Sequence, residues 1–192
     1  MNKVFIGGSR RLSRLNADVR QRIDNILQKG YSVLVGDANG ADKAVQQYLF
    51  DKNYRNVLVY CVGDKCRNNV GRWETKLVRE PSKVKDFHYY MIKDLEMTKD
   101  TDYGFMIWDT KSKGTINNVV NLLRENKIVI VYVSKDKKFY TLRALNDLEK
   151  LLDRCDKTSL EFLERKLHLS QRTKKEQEEL NFAQQSNPAD AG

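Results

Sequence analysis

Short apolar runs alternate along the chain with stretches in which apolar residues recur every three or four positions. The runs lie at residues 3–8, 31–35, 56–62, 102–109 and 128–133. Nearly continuous apolar runs of this length predict strands buried on both faces, and the intervening periodicity predicts amphipathic helices. Strands that alternate with helices are typical of βαβ units. The pattern therefore predicts an α/β fold, with a parallel sheet of about five strands flanked by helices.

The pattern changes after Ser134. Leucines with helical spacing at 142–152 and 160–169 predict two amphipathic helices, and the polar remainder ends in Ser-Asn-Pro-Ala-Asp-Ala-Gly, a composition typical of disorder. The second helix has few apparent apolar partners in the preceding domain, which predicts that the C-terminal helices bind a second copy of the chain or another protein. The predicted organisation is a Rossmann-like domain at 1–135, a helical extension at 136–185 and a disordered tail at 186–192.

The positive charge is concentrated in the predicted domain. The 192 residues carry a net charge of +9; residues 1–135 contain 24 Lys and Arg against 15 Asp and Glu, whereas residues 136–192 contain 11 of each. A positive field attracts the phosphates of nucleotides or nucleic acids. The alternative interpretation is a basic surface that keeps the protein soluble and binds no ligand. No apolar run approaches the ~20 residues that span a bilayer, and the N-terminus has no signal-peptide core. These features predict a cytoplasmic protein that does not bind membranes.

Cysteine and histidine are scarce. Cys61, Cys66 and Cys155 cannot all pair, and only His88 and His168 are available as imidazole ligands. A disulfide framework and a zinc site are therefore not expected. We expect Cys61 and Cys66 to be reduced, and we predict neither a metal nor a cofactor.

Small polar turns follow three of the predicted strands. They are Gly7-Gly8-Ser9-Arg10, the segment Gly36 to Asp42, and the segment Trp108 to Thr115. The turns of parallel strands all lie at the carboxyl edge of the sheet, where α/β proteins bind ligands. Glycine allows close backbone approach, and the N–H groups of a helix start favour anions. The sequence thus predicts one pocket assembled from three separated segments.

The residue types in these turns suggest how a nucleotide would be held. The turn glycines, hydroxyls and guanidinium are expected to bind phosphate, the acidic residues of the second turn to bind ribose hydroxyls, and an indole to stack on a base. Asp42 has a second interpretation of equal weight, because a carboxylate in the first turn of a helix stabilises that helix. The predicted ligand-binding residues are Gly7, Gly8, Ser9, Arg10, Gly36, Asp37, Gly40, Asp42, Arg67, Trp73, Trp108, Ser112, Gly114 and Thr115.

The segment 64–85 is polar and is the most basic part of the predicted domain. Its cations and its indole are Arg67, Arg72, Lys76, Arg79, Lys83, Lys85 and Trp73. A polar segment of this length inside a compact domain is typical of a functional loop or a mobile lid. Arg67 and Trp73 are its predicted ligand contacts, to phosphate and to base. A solvated loop without a ligand is the alternative interpretation.

Five motifs resemble, in order and spacing, those of the SLOG superfamily. They are Gly8-Ser9-Arg10, Gly36 to Asp42, Arg67 to Trp73, Lys93 to Met97, and Trp108 to Thr115. The branch they most resemble is that of small bacterial and phage proteins related to YspA. The superfamily also includes the Lonely Guy phosphoribohydrolases, DNA-processing protein A and sensor domains of nucleotide-signalling defence systems. The resemblance covers roughly residues 1–135 and implies a Rossmann-like fold with a nucleotide pocket.

The resemblance leaves the activity open. Lonely Guy enzymes have a glutamate three residues after the threonine of the last motif, and it helps to cleave an N-glycosidic bond; Asn118 stands there in this chain. An amide cannot act as a general base, so Asp37, Asp42 and Asp109 are the remaining catalytic candidates. Three functions are therefore considered. They are binding of a nucleotide or ADP-ribose-like derivative as a signalling or sensor module, hydrolysis or transfer at the N-glycosidic bond of a nucleotide, and nucleic-acid binding.

Overall fold

The structure, a computed structural model, describes residues 1–79 and 87–167. Its strands are β1 (Lys3–Gly8), β2 (Ser32–Gly36), β3 (Val57–Val62), β4 (Glu74–Val78), β5 (Tyr103–Trp108), β6 (Ile128–Val133) and β7 (Lys138–Leu142). Its helices are α1 (Ala17–Gln28), α2 (Ala41–Asp51), α3 (Phe87–Asp100), α4 (Lys113–Arg124), α5 (Leu145–Leu152) and α6 (Lys157–Leu167). Among the described helices, none is long and apolar enough to cross a membrane. The predictions for Lys83, Lys85, His168 and the segments 171–185 and 186–192 lie outside the described residues.

The described strands form one sheet with the order β4-β3-β2-β1-β5-β6-β7. Strands β1 to β6 all run parallel to one another, and β7 pairs with β6 in the antiparallel direction. This architecture confirms the predicted α/β, Rossmann-like fold. The order of the strands reverses direction between β1 and β5, so the topological switch point lies at the carboxyl ends of these two strands.

The sheet has two strands more than the five that the apolar runs predict. Strand β4 lies inside the segment expected to be a polar loop, and β7 lies beyond residue 135, where a helical extension was expected. Both are edge strands of five residues, and most of their side chains are partly or fully exposed. An edge strand has one neighbour and one solvated side, so it does not need a continuous apolar run. Leu142, expected in a helix, is the buried end of β7.

Alternate residues of the strands face two separate layers of helices. On one face Ile6 and Val35 pack with side chains of α1 and α2, and on the other face Phe5 and Leu34 pack with those of α3, α4, α5 and α6. Leu163 of α6 is fully buried in this second core. The second C-terminal helix therefore has an apolar partner within the domain, which its sequence did not indicate.

Cys61 and Cys66 form a disulfide, so the expectation of two reduced thiols was wrong. Cys61 is the penultimate residue of strand β3, and Gly63 in the turn that follows has a positive φ of 80°. This turn brings the two Cα atoms to 5.1 Å, a separation that a disulfide spans. The number of cysteines in the sequence carried no information about this turn.

Candidate functional site

A cleft of about 980 Å³ opens at the switch point, and we call it the switch-point cleft. The turn after β1, the start of α2, one face of α3, the turn between β5 and α4, and the start of α6 line it. The turn after β1 is joined to the end of β5, because the Ser9 N–H donates to the Ile107 carbonyl over 2.9 Å. The three turns predicted to meet at one edge of the sheet therefore do so, and helices α3 and α6 complete the walls.

One end of the cleft is formed by the start of α4. Ser112 is the N-cap, and its Oγ accepts from the Thr115 N–H over 3.4 Å and from the Thr115 hydroxyl over 3.0 Å. Thr115 lies inside the first turn of the helix. The Ser9 and Thr115 hydroxyl oxygens are 3.4 Å apart, so the turns after β1 and β5 share a cluster of hydroxyl groups. The first turn of α4 contains no acidic residue, and an anion there is favoured by the helix dipole.

Asp109 holds the turn that leads into α4. Its Oδ1 accepts from the Lys111 N–H over 3.0 Å, from the Ser112 N–H over 2.7 Å and from the Ser9 hydroxyl over 2.9 Å. These three hydrogen bonds tie Oδ1 to the turn and to Ser9. The geometry of this catalytic candidate therefore favours a structural role, in which Asp109 shapes the turn for the hydroxyl cluster.

Cations surround this end of the cleft. Arg10 and Arg11 line it from the turn after β1, and Lys111 and Lys113 line it from the turn before and the start of α4. The guanidinium of Arg10 also lies 5.2 Å from the ring centre of Tyr90 on α3, a cation–π contact that orients it. These four cations outnumber the two carboxylates beside them, Asp109 and Asp156, and an excess of positive charge at a helix start favours phosphate.

A buried polar cluster lies on the α3 side of the cleft. Lys93 is 3% exposed, and its Nζ donates to the Asp94 carboxylate over 2.5 Å. The other oxygen of Asp94 accepts from Asn118 Nδ2 over 3.3 Å. Asp42, at the start of α2, is 8% exposed and accepts from the Ala38 N–H over 3.3 Å. Lys93, Asp94, Asp42 and Asn118 all line the cleft, and we call them the Lys93 cluster.

Gly36 lets the Lys93 cluster assemble over the end of β2. A Cβ atom at this position would collide with the carboxylate of Asp42 and would lie 2.8 Å from the ammonium of Lys93. These two charged groups therefore converge on the space that glycine leaves open. The predicted role of Gly36 in the site is consequently indirect, since it makes room for the charged groups that line the cleft.

Burial and neighbouring charges shift the proton equilibria of the cluster. Burial raises the pKa of Asp42 from its ordinary 3.8 to about 6, and Asp94 adds to the rise while Lys93 opposes it. Burial would lower the pKa of Lys93, but the charges of Asp94 and then Asp42 outweigh that effect and raise the pKa above its ordinary value. Lys93 is therefore charged throughout the physiological range, and Asp42 exchanges its proton at mildly acidic pH.

The shift at Asp42 predicts a pH dependence of stability. A carboxyl whose pKa is higher in the folded state stabilises the fold below its unfolded pKa, and that stabilisation is lost as the pH rises through about 6. The wild type should lose up to about 3 kcal/mol of unfolding free energy between pH 4 and pH 7 through Asp42, and the Asp42→Asn variant should not show this loss. Urea denaturation of both proteins across this range measures the difference, with the exposed Asp51→Asn as control. Equal slopes for the wild type and Asp42→Asn would contradict the assignment.

Asp37 and Arg67 form a pair beside the cleft. The Asp37 carboxylate accepts from the Arg67 backbone N–H over 3.0 Å, from Nε over 3.1 Å and from Nη2 over 2.5 Å. Burial would raise the pKa of Asp37, but these contacts with Arg67 outweigh it and hold the pKa below its ordinary value. Asp37 is 1% exposed and does not line the cleft. The Arg67 guanidinium also lies 4.5 Å from the ring centre of Tyr90, so the pair supports the cleft wall.

The two tryptophans lie away from the cleft. Trp108 is fully buried in the core, and its Nε1–H donates to the Ser112 carbonyl over 3.2 Å. Trp73 packs against the opposite core, and its Nε1–H donates to the Tyr54 carbonyl over 2.9 Å. In this geometry neither indole is exposed to a base in the cleft. Their sequence positions, next to turns, did not distinguish a stacking indole from a core residue.

The structure brings about half of the predicted site residues together. The predicted residues that line the cleft are Gly8, Arg10, Asp42, Asp109, Ser112, Gly114 and Thr115. Ser9 contacts Thr115 behind this surface, and Gly40, with a φ of 83°, packs its backbone against Arg10. The predicted residues that do not line the cleft are Gly7, Gly36, Asp37, Arg67, Trp73 and Trp108. Within the described part of the chain, no group of three or more His, Cys, Asp or Glu side chains could hold a metal ion.

Lys93 belongs to the motif Lys93 to Met97, but it was not predicted as a site residue. It lies three residues after Tyr90 and four residues before Met97, a spacing that puts these apolar residues on the same helix face as Lys93. A lysine in the middle of an inward helical stripe is a signal for a buried charge, because such a residue needs a partner. Leu95, an apolar residue of the same helix, is 39% exposed.

No protein-family profile and no curated protein matches the chain. The chain is similar to the solved structure of DNA processing protein A from Helicobacter pylori, a protein described by its single-stranded DNA binding mode. The two sequences are 15% identical, the match covers 87% of this chain and 80% of that one, and the TM-score is 0.55. At this identity the likeness shows the fold alone. It supports a fold related to that of DNA-processing protein A, and it does not single out the YspA-like branch.

Proposed function

We propose that this chain is a SLOG-type protein of the YspA-like branch that binds a nucleotide or an ADP-ribose-like derivative as a signalling or sensor module. One observation carries the proposal. The switch-point cleft joins a helix start surrounded by cations to a buried cluster of carboxylates and an amide. A phosphate is complementary to the first end, and hydroxyl groups are complementary to the second. The volume of about 980 Å³ lies within the range of small-molecule sites.

The phosphate end is assigned to the start of α4. Gly114 lies in its first turn, and the space beside its Cα is open, since an added Cβ would meet no atom within 4 Å. Thr115 and the cations Arg10 and Lys111 line the same end. Backbone N–H groups, a hydroxyl and positive charge are the groups with which proteins bind phosphate at helix starts.

The sugar end is assigned to the Lys93 cluster. Asp42 and Asp94 offer carboxylate oxygens to ribose hydroxyls, which are hydrogen-bond donors. Asn118 is 7% exposed, and its Oδ1 has no hydrogen-bond partner among the described residues. A buried carbonyl oxygen without a partner costs free energy unless a ligand or a water supplies a donor. A rotation of the Asn118 side chain toward the cleft would let a ribose hydroxyl donate to Oδ1 and remove this cost.

Gly114 provides the sharpest test of the phosphate end. The Gly114→Asp variant should fold well, because aspartate in a first turn stabilises a helix, yet it should weaken binding of ADP-ribose at least about tenfold by charge repulsion. Gly114→Ala is the matched control, expected to gain about 1 kcal/mol of stability without losing affinity. Isothermal titration calorimetry with ADP-ribose, AMP and ribose 5-phosphate measures the affinities, and thermal unfolding measures the stabilities.

The native protein also reports on its own ligand. Mass spectrometry of small molecules that copurify with the wild type should detect a phosphorylated nucleoside, and Gly114→Asp should lose it. Retention of that ligand by Gly114→Asp would place the phosphate elsewhere. If the wild type bound none of the three probes and copurified with no nucleotide, the proposed function would be rejected.

Catalysis at an N-glycosidic bond is a second function that the same samples test. Of the three carboxylates considered, Asp42 combines a position on the cleft with a raised pKa, whereas Asp37 and Asp109 are bound by Arg67 and by the turn before α4. Release of free base from AMP or another nucleotide, lost in Asp42→Asn, would establish turnover. Binding without release would leave the protein as a sensor.

Binding of single-stranded nucleic acid is a third function. It is supported by the structural similarity to DNA processing protein A from Helicobacter pylori and by the net positive charge of this chain. Arg11 and Lys111 would then contact successive phosphates rather than one ligand. Fluorescence anisotropy with labelled oligo(dT) at increasing salt is the test, because phosphate contacts make affinity fall steeply with salt. Affinity that is insensitive to salt, or absent at low salt, would exclude this function.

A further inference from the structure

Three aromatic residues line the described walls of the switch-point cleft, and they differ in accessibility. Phe5 is 1% exposed and belongs to the core. The ring of Tyr90 is in contact with two guanidiniums, those of Arg10 at 5.2 Å and Arg67 at 4.5 Å from its centre. Phe162 of α6 is 36% exposed. Phe162 is therefore the most exposed of these three rings.

The helix that carries Phe162 is fixed to the domain. Asp156 caps its start by accepting from the Ser159 N–H and hydroxyl, each over 2.9 Å. Leu163, the neighbour of Phe162 in the chain, is fully buried in the core. Ser159 lies three residues before Phe162 and also lines the cleft, so one face of α6 forms this wall. The exposed ring is thus held at a defined position.

We propose that Phe162 is the platform on which the heteroaromatic base of the ligand stacks. This inference rests on the proposed function and names the part of the ligand that α6 contacts. An exposed phenyl ring on the wall of a cleft gains free energy when a planar base covers it, because apolar area is removed from water and the two π systems stack. The C-terminal extension then supplies the base end of the site, and helices α2, α3 and α4 supply the phosphate and ribose ends.

The test compares two probes that differ by a base. The wild-type full chain should bind AMP more tightly than ribose 5-phosphate in titration calorimetry. Phe162→Ala should weaken AMP binding about tenfold or more, the usual effect of removing one stacking ring, and should leave ribose 5-phosphate unchanged. Phe162→Tyr should retain most of the affinity for AMP, since the ring is kept.

Leu160→Ala is the matched control. Leu160 lies on the same helix with the same 36% exposure, but it does not line the cleft, so its truncation should alter neither affinity. If AMP bound the wild type and Phe162→Ala equally well, the platform assignment would be wrong while the proposed function stood. If the wild type bound neither AMP nor ribose 5-phosphate, nucleotide binding itself would be rejected, and the platform assignment that rests on it would be rejected too.

Discussion

Replacing Lys93 with methionine is expected to lower the free energy of unfolding by about 3 to 5 kcal/mol. Lys93 is almost fully buried between Asp94 and Asp42, and its ammonium is the cation that compensates these two carboxylates. Methionine keeps the length and the apolar contacts of the side chain but removes the charge. The loss therefore reports the cost of leaving buried carboxylates without a partner, rather than the cost of a cavity.

Urea denaturation of Lys93→Met and of two further variants separates this effect from others. Lys99→Met removes a lysine of the same helix whose side chain is 63% exposed and paired with Glu96, and its effect should stay within about 0.5 kcal/mol. The double variant Lys93→Met with Asp94→Asn should recover part of the loss, because it removes one of the two carboxylates that Lys93→Met leaves without a cation. A Lys93→Met protein as stable as the wild type would show that the cluster is solvated.

Alanine at position 40 is expected to cost about 4 kcal/mol of unfolding free energy. Gly40 has φ 83° and ψ −129°, a conformation that side chains rarely adopt. A Cβ atom there would also collide with the backbone of Arg10, and no change of rotamer can relieve a backbone collision. Strain at the residue and displacement of Arg10 therefore add to each other.

Gly30→Ala separates these two contributions. Gly30 also has a positive φ, of 68°, but an added Cβ would meet no atom within 4 Å. Its substitution should therefore cost only the conformational strain, about 1 kcal/mol. Thermal and urea unfolding of both variants give the comparison. Equal losses at the two positions would mean that the close packing of the turn on Arg10 contributes nothing.

The central strands of the sheet could be predicted from the sequence, but the two edge strands could not. Strands such as 31–35 and 128–133 are covered on both faces, and burial on both faces produces the apolar runs by which they were recognised. Strands β4 and β7 are covered less completely, so their composition resembles that of a loop. The disulfide between Cys61 and Cys66 depends on the path of a single turn, which no periodicity encodes.

For the candidate site, the sequence indicated the segments better than the side chains. Parallel topology brings the ends of β1, β2 and β5 to one edge, so the three turns could be predicted to meet. Which side chains face the cleft depends on packing, and Trp108 illustrates this, because its ring fills the core while the neighbouring turn lines the cleft. Phe162 could not be assigned, since nothing local relates α6 to a turn some fifty residues earlier.

The two edge strands that the sequence did not predict also affect how copies of this protein can associate. Strand β4 carries Glu74 and Lys76, strand β7 begins with Lys138, and each strand is only five residues long. Short strands with charged side chains are poor templates for a strand from another molecule, since pairing would bury those charges. The borders of the described sheet thus discourage fusion of two sheets into one. Self-association of this chain should accordingly involve helix surfaces.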